Sequence, residues 1–271
     1  MAWQLTGDVA TYLSAAGGFL QARAAENTVI LTAAAAVSAQ GPGAFGGSAP
    51  LFGWQATPGG AVTAAFLHTP PFPVVLTAMT GGDAAALAAE LAAQGHRPAG
   101  VNAAPDPATA FAAAWQDHTG QAARTGMRMR LYELGRLLSP DPPPPGQPRT
   151  ASAQDTALLL TWLDAFHDEA GPQGPNEAEL LVKNRIGFGG LVLWEHYGRP
   201  VSLAGRNRAA AGQARIGPVY TPPELRGRGF GGAATVAITQ AALDDGAEGV
   251  VLFADLANLA SNTEARIKVG F

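Results

Sequence analysis

Apolar and polar positions alternate or repeat at recognisable periods along much of this chain. Residues 127–134, MRMRLYEL, alternate in the manner of a half-buried strand. Residues 152–170, SAQDTALLLTWLDAFHDEA, carry an apolar stripe at helical spacing. Three strands are then predicted at 189–198 (GGLVLWEHYG), 199–207 (RPVSLAGRN) and 213–220 (QARIGPVY). A turn at Gly198-Arg199-Pro200 joins the first two. Residues 232–244, GAATVAITQAALD, predict a helix, and 249–256, GVVLFADL, a buried strand. The last eleven residues, SNTEARIKVGF, predict the start of a short helix. Three antiparallel strands, a loop, a helix and a buried strand make an α/β layout with a mixed sheet.

The first half echoes this order. Residues 50–67, PLFGWQATPGGAVTAAFL, read as strand-turn-strand, and 72–79, FPVVLTAM, as a third strand. A helix at 83–95, a short strand at 99–104 and a helix at 106–120 follow. The recurrence is the mark of an internal duplication. Between the halves lies SPDPPPPGQP, 139–148, whose four consecutive prolines cannot continue a helix or a central strand. The expected organisation is a domain over 1–138, a proline-rich linker over 139–149 and a second domain over 150–271.

The junction between third strand and helix differs between the halves. In the second half it is YTPPELRGRGFGG, 220–232, with two arginines among four glycines. Glycines let backbone approach a ligand, and the first turn of a helix has unpaired N–H groups and partial positive charge. Arg226-x-x-Gly229-x-Gly231 at a helix start therefore suits a pyrophosphate. The competing reading is a glycine-rich turn in a glycine-rich protein, since 34 residues are glycine and 21 proline. In the first half the junction is TAMTGGDAAA, without arginine, and Asp83 is expected at the helix N-cap, where a carboxylate repels an anion.

Composition narrows the classes. The chain has 271 residues, 47% of them hydrophobic, enough for a sizeable core. The net charge of −4 lacks the basic excess of a nucleic-acid binder. With no cysteine, disulfides, thiolate metal sites and cysteine nucleophiles are excluded, and no His, Asp or Glu cluster has metal-ligand spacing, so no metal is expected. The start, MAWQLTGDVATYL, lacks the pattern of a signal peptide, and TVILTAAAAVSA is too short to span a bilayer. The expectation is a cytoplasmic protein, monomer or homodimer, with no membrane or nucleic-acid partner.

The string Gly227, Gly229, Gly232 matches the dinucleotide pattern G-x-G-x-x-G, but it follows an antiparallel meander rather than opening a βαβ unit. The R-x-x-G-x-G loop, the following strand and DLANLASN instead resemble the GNAT superfamily of acetyl-CoA-dependent N-acetyltransferases, over roughly residues 150–271. The resemblance implies two GNAT-like domains, each a mixed, mostly antiparallel sheet flanked by helices, the first having lost its coenzyme site. It implies a coenzyme loop of Arg226, Gly227, Arg228, Gly229, Phe230 and Gly231. It also implies pairing of Val219 and Tyr220 with the pantetheine arm, and coenzyme contacts from Asn258, Ser261 or Asn262. The expected activity is transfer of acetyl from acetyl-CoA to a primary amine acceptor; the alternative is a non-catalytic coenzyme A sensor or scaffold. The tyrosine that the family often carries after its Ser-Asn pair, as a proton donor to the thiolate, falls here near Ala265 or Arg266. The chain also stops at Phe271, where the family usually adds strand; either the C-terminus is short or the sequence is a fragment.

Remaining candidates have plain competitors. Glu195 or His196 is placed to deprotonate an amine, or is a polar pair near a hairpin. Tyr220 lines an acetyl pocket or belongs to the core. His167 and Asp168 read as a solvated helix face, and Trp54, Trp115, Trp162 and Trp194 as core.

Overall fold

The computed structural model describes residues 2–46, 48–170, 178–258 and 262. The chain divides into two units, Met1–Gly126 and Met127–Phe271. Each contains a mixed sheet flanked by helices, as the pattern predicts.

In the first unit β1 (Gln4–Thr6) leads into α1 (Val9–Gln21) and α2 (Thr28–Gln40). The Asp8 carboxylate caps α1 by accepting from the N–H groups of Ala10 and Thr11. Neither helix is among the predicted elements. The run TVILTAAAAVSA in α2 has no polar stripe, so its period is invisible, although Ile30, Leu31, Ala34 and Val37 are the apolar residues it buries. Then come β2 (Leu51–Ala56), β3 (Val62–His68), β4 (Val74–Leu76), α3 (Gly81–Ala93), β5 (Val101–Asn102) and α4 (Pro105–Thr119). The sheet order is β1-β2-β3-β4-β5, antiparallel except for β4 with β5. One expectation needs correction: Asp83 is not the N-cap of α3. Thr80 is, its hydroxyl accepting from the Asp83 N–H at 3.1 Å. The helix starts earlier because the Thr80 hydroxyl can satisfy one of the first free donors, and it donates in turn to the Asp83 carboxylate at 2.6 Å.

The second unit runs β6 (Met129–Glu133), β7 (Gln147–Thr150), α5 (Thr156–Ala170), α6 (Ala178–Ile186), β8 (Leu191–His196), β9 (Arg199–Arg206), β10 (Gln213–Tyr220), α7 (Phe230–Asp244) and β11 (Gly249–Asp255). The sheet order is β6-β11-β10-β9-β8-β7; only β10 with β11 is parallel. From β7 to β11 the order strand, two helices, three antiparallel strands, helix, parallel strand repeats that of the first unit. Alternate residues of β8 serve two cores. Leu191 and Leu193, with Leu203 and Tyr220, pack under α5 and α6 against Leu159, Trp162 and Leu163. Val192, with Ala204, Ala214 and Ile216, packs under α7 against Ala234, Ile238 and Ala242.

Two local readings shift. The β8–β9 turn is Tyr197-Gly198, with φ of 49° and 70°, the two positive values that a type I′ hairpin loop needs; Arg199 and Pro200 already belong to β9. The proline-rich stretch is not all linker, since Gln147–Thr150 forms β7, an edge strand where Pro148 removes no ladder bond. The division of the chain also lies before the prolines rather than at 138/139. Strand β6 precedes them in sequence, yet it pairs with β11 from Val251↔Glu133 to Asp255↔Met129. Composition marks the prolines, but hydrogen bonding assigns β6 to the second sheet. Among the described residues no helix is long and apolar enough to cross a membrane.

A fragment that begins at Met127 should therefore stay soluble better than one that begins at Thr150. The shorter fragment leaves the β11 edge bare, and bare edges associate. Light scattering and thermal melts of the two fragments check this; equal behaviour would show that β6 does not matter to the second sheet.

Candidate functional site

The parallel pairing of β10 with β11 ends at Ile216↔Leu252. Strand β10 continues to Tyr220 on its other neighbour, with Val219↔Ala204 and Tyr220↔Leu203, after a register shift between Ile216 and Val219. Residues 217–220 thus keep β9 on one side and have no paired strand on the other. Successive residues of a strand turn their backbone groups to opposite neighbours. One of Val219 and Tyr220 therefore presents its N–H and C=O to the gap. An extended chain can bind there as an added strand.

The loop at the end of the gap starts a helix without a side-chain cap. Pro222 and Pro223 end the strand, and a single 3-10 turn spans Pro223–Leu225. Gly227 and Gly229 lie at φ 76° and 80°, where a β-carbon costs roughly 1–2 kcal/mol. Gly229 is the N-cap of α7, with no side-chain cap hydrogen bond. The N–H groups of Phe230, Gly231 and Gly232 open the helix with its partial positive charge, a geometry that takes an oxyanion. In the first unit the equivalent helix start is closed. The Thr80 hydroxyl accepts from the Asp83 N–H and donates to the Asp83 carboxylate, and a β-carbon on Gly81 would lie 3.3 Å from that of Ala110 on α4. The cavity of about 400 Å³ beside it is lined by Ala78, Met79, Ala104, Pro105, Asp106 and Pro107, none of them basic.

A solved GNAT-family acetyltransferase from Colwellia psychrerythraea superposes with a TM-score of 0.56 at 12% identity, over 97% of this chain and 93% of its own. A GCN5-related N-acetyltransferase from Kribbella flavida gives a TM-score of 0.50 at 22% identity, over 74% of this chain and 81% of its own. The chain has a GNAT fold. No protein-family model matches it, and no curated protein matches it in sequence.

Within this GNAT fold the loop glycines and the end of β10 lie where the sequence expects them, but several side chains are occupied. Arg226 donates from Nη2 to both oxygens of Glu169 on α5 (2.9 and 2.6 Å) and from Nε to the Thr221 carbonyl (2.8 Å). Arg228 donates to the Glu224 carbonyl at 3.3 Å. Phe230 is buried, its ring 5.8 Å from that of His196, so only its backbone faces the loop. A β-carbon on Gly231 would lie 3.3 Å from Thr221 Oγ1, which ties the helix start to the strand end. Val219 packs on the α7 side and Tyr220 on the α5 side, 6.1 Å from Trp162. Burial and the Glu169 charge raise the Tyr220 phenol above its usual range, with Arg226 opposing. Asn258 follows β11, its N–H donating to the Asp255 carbonyl. Asn262 is engaged at both ends of its amide: it accepts from Tyr132 Oη at 2.8 Å and donates to the Asp255 and Asn258 carbonyls at 2.7 Å. Ser261, and the positions near Ala265 and Arg266, lie outside the described residues.

Glu195 is held in a network that the sequence reading misses. Arg149 on β7 donates from Nε to Glu195 at 2.8 Å and from both terminal nitrogens to Asp155 at 2.8 and 2.9 Å. One Glu195 carboxylate oxygen is thus already engaged. The Ser152-x-x-Asp155 spacing is a capping box, legible beforehand; the reach of Arg149 across the strand pair is not. Another missed neighbour is Pro144, whose ring carbons lie 3.7–4.0 Å from a β-carbon on Gly229. The proline-rich segment is anchored there by Trp194 Nε1 donating to the Pro145 carbonyl at 3.0 Å.

Hydrogen bonds from Arg149 lower the Asp155 carboxyl from 3.8 to about 2. A depressed carboxyl stabilises the fold above its unfolded value and loses that contribution as pH falls through its folded value. Arg149→Met should thus cost about 1–2 kcal/mol near pH 6, and its gap from the parent should narrow between pH 3.8 and pH 2. Denaturant titrations across that range test it; a gap independent of pH would assign the loss to packing alone.

Proposed function

We propose that the second unit binds acetyl-CoA and transfers its acetyl group to a primary amine. The observation that carries this reading is the gap beside residues 217–220 ending at an uncapped, glycine-started helix. The helix start fits the coenzyme's pyrophosphate, and the open edge of β10 fits its amide-bearing arm as an added strand. The backbone N–H of Val219 or Tyr220 that faces the gap is the natural donor to the oxyanion of the tetrahedral intermediate. The amine nitrogen bonds to the acetyl carbon, the C–S bond breaks and the thiolate leaves. The proton lost by nitrogen goes to solvent or to sulfur. A thiol with a pKa of roughly 8–9 leaves readily enough that a protein acid adds little. Positioning then supplies most of the rate.

The engagement of Glu195 by Arg149 favours a second reading, a coenzyme A sensor without turnover. The first unit, with its capped helix and no basic lining, is read as a degenerate copy that binds no coenzyme. The protein acts as a tandem of two GNAT-like units with one site.

Calorimetry with acetyl-CoA should find one site per chain. Gly229→Asp should abolish it, because it adds a β-carbon and a negative charge at the anion position; retained affinity would refute the phosphate assignment. Arg226 pairs with Glu169 at the surface, with side chains 46% and 44% exposed. Such pairs are worth about 0–1 kcal/mol, so Glu169→Gln should free the guanidinium and tighten acetyl-CoA binding up to about fivefold. Thiol release with an amine panel separates transferase from sensor.

A further inference from the structure

The proline-rich segment passes beside the helix start suited to a phosphate and touches it through Pro144. Residues 134–146 join β6 to β7, the two outer strands of the six-stranded sheet, so they cross five strand spacings, about 24 Å. They cross on the side of α7. Leu134, at the start, packs in the core beneath α7, and Pro144, near the end, lies against Gly229, the N-cap of α7. Pro142, Pro143 and Pro145 are exposed; Pro144 alone of the four is half-buried. The segment is tied down next to it. Trp194 Nε1 donates to the Pro145 carbonyl at 3.0 Å. Gly146 lets the backbone lie close on β8: its φ is 116°, and a β-carbon there would collide with the Glu195 carbonyl oxygen and lie 2.7 Å from Trp194 Nε1.

The two segments that meet here differ in stiffness. Glycine visits positive and negative φ about equally, so Gly227 and Gly229 keep φ of 76° and 80° only if something else holds them. Where nothing does, an incoming ligand meets the entropy cost of ordering the loop. Consecutive prolines have φ fixed beforehand and lose little on folding. The Pro144 ring carbons stand 3.7–4.0 Å from the position a β-carbon on Gly229 would take, so the ring covers that side of the glycine. Beyond Gly229 the loop has other holds: the Phe230 ring packs near that of His196, and the Ala233 N–H donates to the Gly229 carbonyl at 3.0 Å. The conformation of Gly229 thus sets the first helical hydrogen bond of α7. Resting on the function proposed above, we propose that Pro144 is a positioning residue of the coenzyme loop, held in place by Trp194. It keeps Gly229 left-handed before the coenzyme arrives, so that the pyrophosphate meets N–H groups already aligned. A stiff segment from outside the loop supplies the order that the glycines lack.

One part of the test needs no coenzyme. In the free full chain, Pro144→Gly and Trp194→Phe should speed hydrogen exchange of the Ala233 amide by roughly threefold or more, while amides of β9 and β10 exchange as before. Acetyl-CoA and inorganic pyrophosphate should both bind these variants roughly threefold to thirtyfold more weakly, the scale of ordering one residue. KM for acetyl-CoA should rise, with kcat and the KM of the amine unchanged. Pro144→Val, which restores apolar bulk against Gly229, should recover part of the loss. Unchanged exchange at Ala233 overturns the proposal whatever the coenzyme does. Unchanged acetyl-CoA affinity beside a lower Tm also overturns it, since a merely structural tie behaves that way. Tighter binding in the variants overturns it as well and makes the segment an obstacle to the coenzyme. A parent chain that binds neither probe, while exchange at Ala233 still answers to Pro144, overturns instead the function on which the proposal rests.

Discussion

The departure of β10 from β11 after Ile216, while β10 stays on β9, is the constraint on which the rest depends. A parallel pair that ran to its end would bury every backbone group of residues 217–220 in the ladder. Because it stops, a sheet interior acquires a local edge, and that edge points at a helix start. The edge is protected from association by its place inside a six-stranded sheet, between β9 and the last residues of β11.

The helix start matters because no side-chain cap hydrogen bond closes it among the described residues. Gly229 offers no side-chain oxygen, whereas Thr80 and Asp83 close the corresponding start of α3. The difference between the two units is thus one of capping chemistry more than of topology. Both have a helix following the third antiparallel strand and a parallel strand after it. The glycines also permit the left-handed backbone that turns the chain into α7.

Charged side chains around the gap are engaged within the protein. Glu195 and Asp155 share Arg149, and Arg226 rests on Glu169 across an exposed, exchangeable contact. Arg185 has a neutral carbonyl as its partner and a like charge nearby.

Periodicity determined the type of most elements in both halves, their shared order and the glycine loop before α7, because these depend on residues within a few positions of one another. It missed α1, and it missed α2, where an apolar run without polar contrast hides the helical period. It placed the hairpin turn late and the α3 cap at Asp83, since cap and turn positions differ by one or two residues of similar chemistry. Only the tertiary structure decided that β6 belongs with β11, that Arg149 claims Glu195, that Asn262 binds Tyr132 and that Arg185 lies against Gly205. Each of these joins residues 20 to 130 positions apart. A hydrogen bond over that distance leaves no period in the sequence; it is chosen by the packing of sheet and helices and by which polar group that packing leaves without water.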